Sequence, residues 1–131
     1  MTLVRRHSGF AIVLVLILLF HWSLGTYESD FGRYQDEGAH YITGLLVRQF
    51  ALTPSSWMHP MAFAKEYYVH YPKVSFGQWP PLFYIMQTAW TIPFGPSRLS
   101  LLLMMSLLMA CLAWSVYSLV RDRLGRMPAF M

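Results

Sequence analysis

Leu99-Ser-Leu-Leu-Leu-Met-Met-Ser-Leu-Leu-Met-Ala-Cys-Leu-Ala-Trp-Ser-Val-Tyr-Ser-Leu-Val120 is a run of twenty-two residues without a formal charge. At 1.5 Å per residue a helix of this length covers roughly 33 Å, against ~30 Å for the hydrocarbon core of a bilayer. Arg98 stands before the run and Arg121, Arg123 and Arg126 follow it, the positions where cations meet head groups. Working outward, a second uncharged stretch occupies Gly9–Gly25 behind Arg5 and Arg6, and a shorter one runs from Pro80 to Phe94. The expected fold is therefore an all-α integral membrane protein. It has about three transmembrane helices, near 9–25, 80–94 and 98–120, and an extracytoplasmic loop over 26–79 that carries short juxtamembrane helices. Ser23-Leu24-Gly25 also offers a small-x-small site for removal of a signal peptide, but the later apolar runs favour a chain with several spans.

The composition agrees with lipid as the solvent. The chain is 56% hydrophobic and only 12% charged, whereas water-soluble domains carry about 25% charged residues. The net charge of +4 does not indicate nucleic acid, because the basic residues are scattered or sit at the ends of apolar runs instead of forming one face. The single cysteine, Cys111, excludes an internal disulfide. His40, His59 and His70 are too far apart in sequence to form a recognisable zinc set, and there is no asparagine to accept a glycan. The methionines near Cys111 read as lipid-facing or packing surface.

Arg5 and Arg6 place the N-terminus in the cytoplasm. Three crossings then leave Arg121, Arg123 and Arg126 outside, against the positive-inside tendency; three crossings are favoured because later spans can fix orientation. The segment with Asp30, Gly32 and Arg33 reads as an outer loop. After it, Ala39, Ile42, Leu45, Leu46 and Phe50 recur at helical spacing, with His40, Thr43, Gly44 and Arg48 elsewhere on the wheel. The run is too short to span and is interrupted by Arg48, so an amphipathic helix on the membrane surface fits it, ended by Thr53-Pro54-Ser55-Ser56. A second short helix is expected over Met61–Val69. Pro80-Pro81 opens the next helix, Gly95-Pro96-Ser97 breaks it, and Ser97 is placed to cap the last one.

The chemistry-bearing residues lie between the first two spans. Asp36 suits the N-cap of a helix starting near Glu37, since its carboxylate can accept an orphan backbone N–H. It also suits a general base that takes a proton from an acceptor hydroxyl, since partial desolvation by apolar walls makes a carboxylate more basic. The two roles are compatible. Tyr67 to Pro81 is dense in aromatic rings. It reads either as an aromatic belt at the interface or as a rim that packs against a lipid-linked substrate and a sugar ring. Within it, His70 or Lys73 can hold a phosphate, although Lys73 can equally reach for head groups.

The order of these features resembles the N-terminal part of the GT-C glycosyltransferases, in particular the bacterial branch related to protein O-mannosyltransferases and the aminoarabinose transferase. The resemblance is carried by Asp36-Glu37 after a first span, Tyr71-Pro72, Gly77-Gln78-Trp79-Pro80-Pro81-Leu82-Phe83-Tyr84, Phe94-Gly95-Pro96-Ser97-Arg98-Leu99 and Arg123-Leu124-Gly125. It covers nearly the whole chain through motifs that are individually short. It implies a bacterial inner-membrane enzyme, active on the extracytoplasmic face. Such an enzyme moves a sugar from a polyprenyl-phosphate donor to a hydroxyl or an amine-bearing acceptor. Asp36 falls where the catalytic carboxylate is expected, with Glu37 beside it, and His70, Tyr71, Lys73 and Trp79 fall among substrate-binding residues. The implied partners are membrane lipid and the lipid-linked sugar. No cofactor is implied beyond that donor, and the residues leave a divalent metal open. Family members carry about a dozen spans, so the expectation is the N-terminal piece of a longer protein. Gln78-Trp79 stands where the aminoarabinose branch tends to carry a Glu-Lys pair, so that substrate is not assigned. The competing expectation is a small non-enzymatic membrane protein that binds or assembles a partner. A transporter fragment is disfavoured because Leu99–Val120 offers only Ser106, Ser115, Ser118 and similar mild polar groups.

Overall fold

The computed structural model describes residues 3–28, 34–75 and 77–124. The expected loop at Asp30, Gly32 and Arg33, Phe76 of the aromatic stretch and the closing residues 125–131 lie outside the described residues, as do the side chains of Arg5 and Arg6. All regular structure among the described residues is helical: α1 (Leu3–Ser23), α2 (Gln35–Leu52), a 3₁₀ turn (Pro54–Met58), α3 (Pro60–His70), α4 (Pro81–Phe94) and α5 (Arg98–Leu124). The chain divides into two units, one of Met1–Ser29 with Leu102–Met131 and one of Asp30–Leu101.

Among the described residues one helix is long and apolar enough to cross a membrane, Arg98–Arg121 within α5. The apolar part of α1 over Ser8–Ser23 is shorter. α4 has 14 residues, roughly 21 Å of helix, and this falls short of a span. Three expected crossings thus reduce to one helix that meets the length and hydropathy requirement.

In the first unit α1 and α5 meet at Gly9 and Phe10 and at Ser106. The Trp114 ring occupies the space a Cβ on Gly9 would take, and Phe10 meets the same ring edge-on at 6.5 Å. Ser106 is fully buried. Its hydroxyl donates to the Leu102 carbonyl at 2.9 Å and lies 2.9 Å from His21 Nδ1 and 3.2 Å from the Tyr27 hydroxyl. Among apolar helices such a group must find partners within the protein.

The second unit is organised by α2. Its N-cap position is Tyr34, in an extended conformation with φ −126° and ψ 130° and no side-chain cap. Asp36 is therefore not the N-cap: the helix begins before it, and Asp36 and Glu37 both stand in the first turn, where either charge suits the helix dipole. Burial on α2 is not confined to its apolar stripe: Ala39, Thr43, Gly44 and Leu46 are buried, while Ile42 and Leu45 are only partly covered. Toward α4 it presents His40, Gly44 and Arg48, which meet the Tyr84 hydroxyl, the Gln87 side chain and the Thr91 carbonyl, and Tyr84, Gln87, Thr88 and Thr91 are the buried residues of α4. The Gln87 side chain fills the space that any Cβ at position 44 would need. Apolar residues here are left over for other contacts. Leu46 joins Tyr67 of α3 and Val74 in a small core bordered by Ile42 and Phe63, each large apolar side chain contributing roughly 1.5–3 kcal/mol on burial.

The ends of the elements follow the sequence closely. α2 stops at Thr53-Pro54, and the Ser56 hydroxyl donates to the Thr53 carbonyl at 2.6 Å. Pro81 opens α4, where its missing N–H costs nothing. Gly95 ends α4 with φ +80°, a conformation that glycine adopts without strain. Ser97 then accepts the Ser100 N–H at 3.2 Å and caps α5. The Tyr41 hydroxyl donates to the Pro96 carbonyl at 2.7 Å, tying this turn to α2.

Candidate functional site

The first turns of α2 gather one set of polar side chains. Asp36 is exposed. Its neighbour Glu37 is held by Arg98, whose Nη2 donates to Glu37 Oε1 at 3.4 Å. Arg98 stands at the N-terminal end of α5, where a cation meets the positive end of the helix dipole, so a carboxylate partner offsets an unfavourable placement. With side chains 20% and 37% exposed, the pair contributes at most about 1 kcal/mol. Its effect is to fix which of two adjacent carboxylates stays open to solvent.

One turn further, at the i+4 position from Asp36 and hence on the same helix face, stands His40. Its Nδ1 is 2.8 Å from the Tyr84 hydroxyl. Its ring stacks on Trp79 at 4.0 Å with a 32° tilt and meets the edge of Phe83 at 6.3 Å. An imidazole fixed on two sides in this way is a positioned proton donor or acceptor. Sequence reasoning left His40 as an ordinary wheel position. The signal that could have found it was its i+4 relation to Asp36, together with the ring-rich Trp79–Tyr84 stretch.

The other expected binding residues lie elsewhere in the unit. His70 and Tyr71 line a cleft of about 580 Å³ between the C-terminal half of α2, the 3₁₀ turn and α3. His70 Nδ1 donates to the Glu66 carbonyl at 2.9 Å, a bond that suits the last turn of a helix. Lys73 is exposed in the turn after α3. From Asp36 to Gln49, where the cleft begins, the rise along α2 is about 20 Å. The six expected residues therefore fall into two groups. Asp36, Glu37 and Trp79 belong to the N-terminal half of α2 and the residues around it. His70 and Tyr71 belong to the cleft, with Lys73 just past it.

An aromatic wall backs the cleft. Phe50 meets Phe63 at 5.6 Å, Phe63 meets Tyr67 at 6.2 Å, and Tyr67 meets Tyr71 at 4.7 Å. The Tyr67 hydroxyl donates to the Ile42 carbonyl at 3.4 Å. Burial, aided by the neighbouring phenols of Tyr71 and Tyr41, pushes the Tyr67 phenol up to about 12. No group of three or more His, Cys, Asp or Glu side chains able to hold a metal ion occurs among the described residues. No protein-family model, curated protein or solved structure matches this chain.

Proposed function

We propose that this chain is the N-terminal part of a GT-C-type glycosyltransferase, embedded in a bacterial inner membrane with α5 as a spanning helix and with its active side extracytoplasmic. The observation that carries the reading is the division of labour at the start of α2. Glu37 is tied to Arg98, while Asp36 is exposed one turn before His40, whose ring is fixed by Tyr84 and Trp79.

In the proposed reaction an acceptor hydroxyl attacks the anomeric carbon of a polyprenyl-phosphate sugar. A new C–O bond forms as the bond from that carbon to the phosphate oxygen breaks. Asp36 takes the proton of the acceptor hydroxyl, and the bonding pair leaves with the polyprenyl phosphate, which needs no strong acid because it departs as a stable anion. An amine-bearing acceptor would react by the same displacement at the anomeric carbon, with nitrogen as the attacking atom and Asp36 taking its proton. The lipid tail of the donor accounts for a site next to membrane spans. Trp79 offers an apolar face to the sugar. His70, Tyr71 and Lys73 are assigned to parts of the substrate farther from the reacting bond, and not to the phosphate whose bond to the anomeric carbon breaks.

The test is transfer from a polyprenyl-phosphate-linked sugar by the intact protein in membranes. Asp36→Asn keeps the side-chain shape and removes the base, so transfer falls about 10²–10⁴-fold with membrane insertion unchanged. Glu37→Gln loses far less. Undiminished transfer by Asp36→Asn removes the catalytic assignment. Absence of transfer by the wild-type protein favours the alternative, a membrane protein that binds or assembles a partner.

A further inference from the structure

The cleft beside α3 has a composition that the chemistry at Asp36 does not use. One wall is a continuous series of rings ending in Tyr71, which is 48% exposed, while Tyr67 beneath it is 6% exposed and held by its hydroxyl. The outer ring thus rests on a fixed support. Around it stand the exposed side chains of Gln49, His59 and Glu66. They supply an amide with both donors and acceptor, an imidazole and a carboxylate. The volume of about 580 Å³ is in the range of small-molecule sites.

We infer that this cleft binds a pyranose sugar, with the ring C–H face stacked on Tyr71 and the hydroxyls taken by Gln49, His59 and Glu66. A pyranose has an apolar face and an equatorial belt of groups that both donate and accept. An aromatic plane bordered by amide, imidazole and carboxylate complements both features. An organic cation fits less well, because the rings form one wall and do not enclose a charge from several sides. The inference deepens the transferase reading, on which it rests for the role of the sugar but not for its binding. The cleft lies about 20 Å along α2 from Asp36, so the sugar it holds is a unit of the acceptor or donor away from the reacting bond.

The experiment is saturation-transfer NMR on the full chain in lipid nanodiscs, free of glycoside detergents, with aromatic protons irradiated. Methyl β-D-glucopyranoside, methyl α-D-mannopyranoside and choline chloride are the probes. The expected result is transfer to ring C–H protons of at least one glycoside, undiminished in Asp36→Asn and reduced about fivefold in Tyr71→Ala. Glu66→Gln, an exposed change that leaves the rings in place, gives a second reading: weaker binding with the same pattern of saturated protons. Transfer that persists in both Tyr71→Ala and Glu66→Gln, no transfer to either glycoside, or transfer to choline alone overturns the inference. Loss of catalysis in Asp36→Asn with binding intact separates the two proposals, since each can fail without the other.

Discussion

Tyr67 holds its proton more tightly in the folded protein than in an unfolded chain, moving from 10.0 to about 12 because burial disfavours the phenolate. Between those values the unfolded chain binds fewer protons than the folded one, so stability falls as pH rises. Below pH 10 the contribution is fully present. Melting temperature in mild detergent is expected to drop between pH 10 and 12, and the drop should be shallower in Tyr67→Phe, which keeps the ring and removes the titrating group. An unchanged slope would mean that another group controls alkaline unfolding. Gly44 gives a second residue-level prediction. Replacing a mid-helix glycine by alanine normally stabilises by about 1 kcal/mol. Here the new methyl overlaps the Gln87 amide, which is 2% exposed and must shift within its buried site, and overpacking costs about 1–3 kcal/mol. The clash wins or cancels the gain, so Gly44→Ala melts no higher than the wild type and is expected to melt lower. Neither effect was legible in the sequence, where Tyr67 was one ring among many and Gly44 an unremarked wheel position.

Helix boundaries were the most legible feature at the scale of elements, because they depend on local chemistry. Ser97, Pro81 and Thr53-Pro54 act where their types suggest. Ser97→Ala is expected to cost about 1 kcal/mol and Ser97→Gly only a few tenths, to be read from denaturant midpoints. The N-cap of α2 was misread because Asp36 has the right chemistry for a cap, but Asp and Glu also suit the first turn that follows one. The buried side of α2 against its neighbours was less legible. Counting apolar residues on a wheel finds an apolar stripe but not a polar contact face. α2 sets Gly44 against the Gln87 side chain of α4 and Arg48 against the Thr91 carbonyl, where the missing side chain at Gly44 allows close approach. Thr43 meets its own needs, donating to the Ala39 carbonyl at 2.7 Å and accepting the Ser75 N–H at 3.2 Å.

At the scale of the molecule, α5 gives the clearest test of the relation to the membrane. Cys111 lies within its apolar part and is exposed on the protein surface. If Arg98–Arg121 crosses the bilayer, a membrane-impermeant maleimide leaves Cys111 unlabelled in intact vesicles and labels it after denaturation in SDS. Equal labelling in both conditions would show that α5 does not cross.

Local chemistry along the chain sufficed for its helical character, the location of its apolar runs and the main breaks between helices, since helix length, charge-free composition, proline and glycine act locally. It also singled out Asp36 and Glu37 as adjacent carboxylates after a long apolar helix. It took the packing of the helices to show that Arg98 engages Glu37, that His40 contacts both Trp79 and Tyr84, and that Tyr71 and Glu66 share a cleft. The Glu37–Arg98 and His40–Tyr84 contacts join residues 61 and 44 positions apart. Such pairings follow from how α2 lies against α4 and α3, and that geometry rests on a buried polar seam that hydrophobic periodicity does not register.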